Sequence, residues 1–279
     1  MAAMRRAYEF YSDFFNISSI TNADFEDLTA EYERHYSQAI SLGLFAAGGI
    51  REKDYLNFWC LSHIFSPEVY VESGVFIGSS LHAFINSPGI KKIFAIDPNL
   101  NNLKIPEKSI PRVEMIDDKD FSQIKIDFSG MRSLVYFDDH IDTACRVIQA
   151  YDKGFRYVLF DDSTGLEGIC QRLYPAIPTI PMITNAEIFS PGDELSWTFN
   201  RPLTMGLKGI VKNIIQRKSN VARIRVGLTI TQELIEKCLE AKKLIRKYEM
   251  IPNLGEFIPQ PHPERMVDTS KFIVELYQS

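Results

Sequence analysis

Short apolar runs recur along the middle of the chain, and most of them end in an acidic residue. Five of these runs begin at Val69, Ile93, Val113, Leu134 and Tyr157. Four are almost continuously apolar, which is typical of strands buried on both faces of a parallel sheet, and the third is mixed. Their starts lie roughly 20 residues apart, which leaves room for crossover helices between most of them. The pattern predicts a series of β-α-β units, with helices expected at 79–85 and 141–151.

The flanking regions have helical periodicity. Apolar and aromatic residues recur every three or four positions within 55–65, which predicts a helix packed on a core rather than an aromatic ligand box. After a proline-rich stretch, an apolar stripe over 203–215 predicts another helix, and 231–248 predicts a further one. Residues 271–276 predict a terminal strand.

These elements predict an α/β fold with a Rossmann-like sheet and additions at both ends. The expected organisation is a helical extension over 1–65, an α/β core over 66–170, and a mixed C-terminal part over 171–279 that carries an insertion and the terminal strand. No internal repeat and no clearly hydrophilic linker divides the chain.

Composition adds that the protein is an ordinary globular one. Of 279 residues, 45% are hydrophobic and 24% are charged, which excludes disordered and collagen-like classes. The charged start lacks the apolar core of a signal peptide, and the longest uncharged stretches contain Gly, Ser and Pro, so no membrane span is expected. The four cysteines form no CxxC pair, which argues against a zinc knuckle or a disulfide framework. We therefore expect a cytoplasmic location.

The net charge of −5 hides an uneven distribution. Residues 201–250 contain twelve Lys or Arg and four Glu, so the rest of the chain is strongly acidic. This basic segment indicates contact with an anion, such as a phosphorylated substrate, a membrane surface touched through 203–225, or an acidic partner. A solvated helix face explains it equally well. Nucleic acid is not expected, because no nucleic-acid-binding motif accompanies the acidic overall charge.

A glycine-containing turn follows the first predicted strand. Gly74 and Gly78 bracket it, and the absence of a glycine at 76 argues against the G-x-G-x-x-G of dinucleotide-binding proteins. Asp97 follows the second strand, 25 residues after Glu72, where a carboxylate can accept both hydroxyls of a ribose. The spacing favours a nucleoside-containing ligand.

The segment VESGVFIGSSL, followed by IFAIDP, resembles the first two motifs of the class I S-adenosylmethionine (SAM)-dependent methyltransferases. The resemblance covers about residues 69–165 and departs from the usual motif at Ser73. It implies that the cofactor SAM is bound at the carboxyl ends of the strands. The implied cofactor-binding residues are Glu72, Gly74, Gly78, Ser80, Asp97, and Asp117 or its neighbour Asp118 near the adenine.

The fourth and fifth strands are followed by Asp138-Asp139-His140 and by Asp161-Asp162. Like charges gathered at neighbouring strand ends call for a compensating cation, and oxygen-rich ligands favour Mg²⁺. The arrangement is similar to that of metal-dependent sugar O-methyltransferases of the macrolide and aminocoumarin tailoring type. That similarity implies Asp138, Asp161 and Asp162 as metal ligands and His140 as catalytic base. Either Asp138 or Asp139 could be the ligand or take part in catalysis, and helix capping by Asp139 and Asp162 is the structural alternative.

The resulting prediction is a methyltransferase that acts on a hydroxyl group of a sugar or glycan precursor, with a phosphorylated acceptor as one option. A metal-chelated diol would be more acidic and fixed in orientation, and His140 could remove its proton. His35, His63, His82 and His262 lack comparable acidic neighbours and are expected to be structural.

Two loop aromatics, Tyr174 and Trp197, are plausible sugar-stacking residues. One alternative is a metal-independent enzyme that methylates a small molecule or lipid. Another is a non-catalytic methyltransferase-like scaffold or glycan-binding subunit. The sequence leaves the oligomeric state open, with a homo-oligomer as one option.

Overall fold

The structure is a computed structural model that describes residues 1–18, 22–45, 50–161, 177–202, 221–255 and 271–278. Within these ranges the chain forms a seven-stranded sheet, helices that pack around it, and a separate two-stranded hairpin. The strands of the large sheet are β1 (Val69–Ser73), β2 (Lys92–Ile96), β3 (Val113–Ile116), β4 (Ser133–Phe137), β5 (Tyr157–Phe160), β8 (Ile245–Met250) and β9 (Phe272–Leu276). The hairpin strands are β6 (Glu194–Pro202) and β7 (Val221–Thr229).

The large sheet has the order β3-β2-β1-β4-β5-β9-β8. The pairs among β1 to β5 are parallel, whereas β9 runs antiparallel to both of its neighbours. β1 and β4 are buried along their whole length because helices cover both faces of the sheet. This arrangement confirms the predicted α/β class with a Rossmann-like, mostly parallel sheet.

Helices occupy the N-terminal extension and the crossovers, as the sequence predicted. The N-terminal extension forms α1 (Ala2–Phe15), α2 (Asn22–Ser41) and α3 (Glu52–Ile64). The crossovers contain α4 (Ser79–Phe84) and α5 (Thr143–Asp152). The short α6 (Ile180–Thr184) and the longer α7 (Gln232–Leu244) follow β5. Among the described residues, no helix is long and apolar enough to span a membrane.

One helix prediction is wrong at its end. The periodicity of 231–248 predicts a single helix, but α7 stops at Leu244 and the chain continues directly into β8. The apolar residues Ile245 and Tyr248 fit either structure, and pairing with β9 decides in favour of a strand. The terminal strand predicted at 271–276 is present as β9, whereas the helix predicted over 203–215 lies outside the described residues.

A buried polar network joins the N-terminal extension to α4. The Tyr55 hydroxyl lies 2.9 Å from Nδ1 of His35 and 2.7 Å from Nδ1 of His82. Asn86 donates to Nε2 of His35 at 2.8 Å, and the Ser79 hydroxyl donates to the Leu44 carbonyl at 2.5 Å. These bonds anchor the helix that follows the glycine-containing turn to α2 and α3.

Candidate functional site

The site lies at the carboxyl ends of the parallel strands, on both sides of the point where the strand order reverses. Chain connections leave β1 toward β2 on one side, and β4 and β5 lie on the other. Ligands of open α/β sheets bind in the crevice at such a switch point. The structure therefore brings those predicted strand-end residues that it describes to one edge of the sheet.

Asp97, at the end of β2, holds the turn after β1 through hydrogen bonds. One oxygen of Asp97, Oδ2, accepts hydrogen bonds from the backbone N–H groups of Val75 (2.9 Å) and Phe76 (2.8 Å). Its other oxygen, Oδ1, accepts from the Asn99 N–H at 2.7 Å. A carboxylate offers about four acceptor positions, so Asp97 keeps room for a hydroxyl beside the turn. This partly exposed carboxylate at the switch point fits a ribose.

Both glycines of the turn have left-handed backbones, and Gly74 also packs closely against the end of β4. Gly74 has φ +94°, and a Cβ added there would lie 2.5 Å from the carbonyl carbon of Asp138. At Gly78, with φ +87°, an added Cβ would lie 2.5 Å from Cδ1 of Leu103. The missing side chain at Gly74 thus lets the turn approach the backbone at the end of β4.

Two non-glycine residues at this edge have left-handed backbones. Phe76 has φ 48° in the turn after β1, and His140 has φ 54° after β4. Such a conformation costs about 1–2 kcal/mol for an ordinary residue, and strained backbones of this kind cluster at functional sites. The Phe76 side chain is exposed, while its backbone N–H donates to Asp97.

Glu72 lies beneath the turn and is fully buried. Its two oxygens accept hydrogen bonds from the hydroxyls of Tyr70 (2.7 Å) and Ser80 (2.6 Å). Burial raises the pKa of Glu72 to about 8, although the two hydroxyl donors oppose the shift. Glu72 and Ser80, both implied cofactor residues, are thereby joined to each other and support the start of α4.

After β3, Asp117 and Asp118 are exposed, and the neighbouring Asp120 makes the stronger contacts. Arg146, on α5, is 1% exposed and binds both oxygens of Asp120, at 3.0 and 2.6 Å. Burial would raise the pKa of Asp120, but the hydrogen bonds from Arg146 and Ser122 lower it well below its usual value.

Arg146 also fixes Asp139, the alternative catalytic residue. Oδ2 of Asp139 accepts from Nη2 of Arg146 at 2.7 Å and from the Ser73 hydroxyl at 2.5 Å. The Asp139 side chain thus links the ends of β1 and β4 to α5. With a guanidinium and a hydroxyl donating to one oxygen, Asp139 is placed to hold the crevice together.

Asp138 and Asp161 lie together, as their strand positions predict, and share a hydrogen bond. Beside them is Lys271, whose Nζ lies 2.6 Å from Oδ1 of Asp161 and 3.5 Å from Oδ2 of Asp54 on α3. Burial would raise the pKa of Asp161, but Lys271, together with the hydrogen bond from Asp138, holds it below the usual value. Burial likewise opposes the charge of Lys271, yet Asp161 and Asp54 raise its pKa above the ordinary value.

His140 completes this group. Its Nε2 lies 3.9 Å from Oδ1 of Asp138, and both side chains are partly exposed. Its Nδ1 is buried and has no hydrogen-bond partner among the described residues. The imidazole therefore lies next to a carboxylate at the rim of the crevice.

The described residues do not fit a divalent cation. They contain no group of three His, Cys, Asp or Glu side chains that could hold one. Asp161 is 6% exposed and already bound to an ammonium group, and Asp162, the third implied ligand, lies outside the described residues. The predicted three-ligand magnesium site stays a prediction.

Much of the basic segment lies outside the described residues, and the part within them is largely ion-paired. Lys237 binds Asp142, Lys242 binds Glu187, Arg246 binds Glu275 and Lys247 binds Glu249. These four pairs favour the solvated-face explanation for that part. Tyr174 is not described, and Trp197 lies in β6 with a side chain that is not described.

Sequence reasoning missed Arg146 and Lys271. Arg146 occurs among the buried residues of α5, where a charged residue at a core position signals a buried partner. Lys271 precedes β9, and the antiparallel pairing of Phe160 with Phe272 places it opposite Asp161. That signal requires the strand register, which the sequence does not contain.

No protein-family model and no curated protein matches the chain. Among solved structures it is similar to an O-methyltransferase from Bacillus cereus in complex with SAH, at 12% identity over 80% of this chain and 96% of that chain, with a TM-score of 0.40. A SAM-dependent O-methyltransferase from Thermotoga maritima is 10% identical over 86% of this chain and 71% of that one, with a TM-score of 0.41. An SAH-bound CmcI structure is 20% identical over 39% of this chain, with a TM-score of 0.31, and the match spans 57% of its length. These similarities are remote.

Proposed function

We propose that the protein is a SAM-dependent methyltransferase that acts on a hydroxyl oxygen. The observation that carries the proposal is Asp97, which clasps the turn after β1 at the strand-order switch and keeps an acceptor position for a ribose hydroxyl. The motif resemblance over 69–165 supports SAM over other nucleoside-containing ligands.

Bound SAM would supply an electrophilic methyl group on a sulfonium. The acceptor oxygen would form the new C–O bond as the S–CH₃ bond breaks, leaving S-adenosylhomocysteine (SAH). The hydroxyl proton needs a base, and His140 is the residue at the rim placed to receive it. Oδ1 of Asp138 lies 3.9 Å from Nε2 of His140, which places this carboxyl group beside the ring.

The residues around His140 hold it in place for this role. Arg146 and Ser73 fix Asp139, the residue before His140, and the Ile141 N–H donates to Oδ1 of Asp139 at 3.3 Å. The residues on both sides of His140 are therefore held by hydrogen bonds, and they keep its backbone in the left-handed conformation. The sugar or glycan acceptor, with or without phosphate, stays a prediction from the sequence, as does contact with a membrane surface.

Titration calorimetry with SAM and SAH tests this proposal. We expect one site with micromolar affinity for both, and Asp97→Ala should weaken it at least tenfold because the ribose loses its acceptor and the turn loses its clasp. Asp127→Ala is the matched control, since Asp127 also accepts a backbone N–H two residues on, from Ser129 at 2.9 Å, and should leave affinity unchanged. Absence of binding by the wild-type protein would favour the scaffold alternative.

A further inference from the structure

The carboxyl ends of β4 and β5 contain a buried cation that belongs to the chain itself. Lys271 is 4% exposed, and its ammonium group contacts Asp161 from β5 and Asp54 from α3. Asp161 in turn shares a hydrogen bond with Asp138 from β4. Three carboxyl groups from separate elements are thus gathered around one ammonium group.

The fold fixes this ammonium group in place. β9 is the antiparallel strand next to β5, and Phe160 pairs with Phe272, so the residue before Phe272 lies opposite the residue after Phe160. The Ile251 N–H donates to the Lys271 carbonyl at 3.0 Å, which holds the backbone of Lys271 on its other side. The lysine therefore reaches Asp161 from the position just before β9, opposite Asp161 in the strand register.

We propose that Lys271 takes the place of a divalent metal in this site and acts as a positioning residue, so that methyl transfer proceeds without a metal ion. It holds Asp161 and, through Asp161, orients Asp138 beside His140. This inference rests on the proposed function, and it specifies how the acidic side chains at the ends of β4 and β5 are neutralised.

The surroundings of Asp161 suit the ammonium group of Lys271 better than a metal ion. Mg²⁺ requires several oxygen ligands at about 2.1 Å in near-octahedral geometry. One oxygen of Asp161 is 2.6 Å from an ammonium group, so a metal on the other oxygen would face a positive charge across the same carboxylate. Buried charges are stable when paired, and Lys271 and Asp161 already form such a pair.

Manganese binding, measured by electron paramagnetic resonance, tests the inference without an acceptor or a turnover assay. The wild-type protein, with and without SAH, should bind no Mn²⁺ through these residues at millimolar concentration. Lys271→Met removes the ammonium group and should bind Mn²⁺ at least tenfold more tightly than the wild type. Lys92→Met, which removes the lysine of an exposed pair with Glu114 at 2.8 Å, is the matched control and should behave as wild type.

Wild-type Mn²⁺ binding that is lost in Asp161→Asn would overturn the inference, and this measurement needs no lysine variant to fold. Once an acceptor is found, wild-type activity should survive chelation. Lys271→Met should lower kcat at least tenfold with little change in SAM affinity, and Lys271→Arg should restore part of it. Absence of SAM binding by the wild-type protein would instead reject the proposed function. Failure of this inference and failure of the proposed function are therefore distinguishable.

Discussion

Gly74 is a position in the crevice where an added side chain would not fit. It combines φ +94° with a position where an added Cβ would lie 2.5 Å from the carbonyl carbon of Asp138 and 2.9 Å from the Asp139 nitrogen. Gly74→Ala should therefore lower the free energy of unfolding by at least about 2 kcal/mol, from backbone strain and overpacking together. Urea denaturation measures this change.

Gly130→Ala separates the two contributions. Gly130 has φ +75° but no atom within 4 Å of an added Cβ, so its substitution should cost only about 1 kcal/mol. Equal losses in the two variants would mean that the turn does not pack against the end of β4.

Glu72 gives the site a pH-dependent stability contribution. Its pKa of about 8 in the folded protein lies above the ordinary value of 4.5, so its favourable contribution is complete below pH 4.5 and is lost as pH rises through 8. Glu72→Gln cannot ionise. Its melting temperature relative to wild type should therefore rise between pH 5 and pH 8.5.

Calorimetric melting across that range measures the difference. Glu114→Gln, which changes an exposed carboxyl on β3, controls for the loss of a charge. A difference in melting temperature between Glu72→Gln and wild type that stays constant with pH would show that Glu72 is ionised throughout.

The sequence predicted residue positions better than residue partners. Asp97 and Gly74 could be placed because strand ends and turn glycines are local features. The binding of Asp139 by Arg146 and of Asp161 by Lys271 could not, because each joins residues that only the packed sheet and helices bring together. A like-charged cluster predicts a cation, but it does not say whether that cation is a metal or a side chain.

At the scale of elements, α5 joins the loop after β3 to the end of β4 through one side chain. Arg146 binds Asp120 and Asp139 and lies over the rings of Phe121 (5.7 Å) and Phe137 (5.3 Å). Arg146→Met keeps the apolar packing but leaves two carboxylates without their partner. We expect about 3–5 kcal/mol loss in the free energy of unfolding.

Arg156→Met is the control for this change, because Arg156 also binds a carboxylate, Glu275, but is 39% exposed. It should cost about 1 kcal/mol or less. Similar small losses in both variants would show that Arg146 does not hold the two loops together.

Element boundaries followed the sequence wherever local signals were strong. β1, β2, β4 and β5 are buried apolar runs, and α5 begins after Asp142, whose side chain caps it by accepting from the Cys145 N–H at 3.1 Å. The predicted end of α7 was wrong because the residues of β8 alternate between more and less buried positions only when they pair with β9.

At the scale of the whole molecule, the junction between the N-terminal extension and the core predicts sensitivity to acid. Burial, with a contribution from His82, lowers the pKa of His35 to about 3, and burial lowers that of His82 to about 4. Unfolded histidines take up protons below about pH 6.5. Stability should therefore fall from about pH 6.5 to pH 4, by about 1.4 kcal/mol per pH unit for each histidine.

Urea denaturation between pH 4.5 and pH 7 measures this slope. His82→Gln should make it shallower, because one of the two proton-binding differences is removed. A slope equal to that of the wild type would show that the Tyr55 network does not keep His82 neutral.

The central claim is that the crevice between the ends of β1, β2 and β4 holds a nucleoside beside Asp97. A crystal structure of the protein grown with SAH tests it most directly. We predict ribose hydroxyls within hydrogen-bond distance of the Asp97 carboxylate and the homocysteine end beside the turn at Gly74. SAH bound elsewhere, or a ribose that does not contact Asp97, would contradict the account.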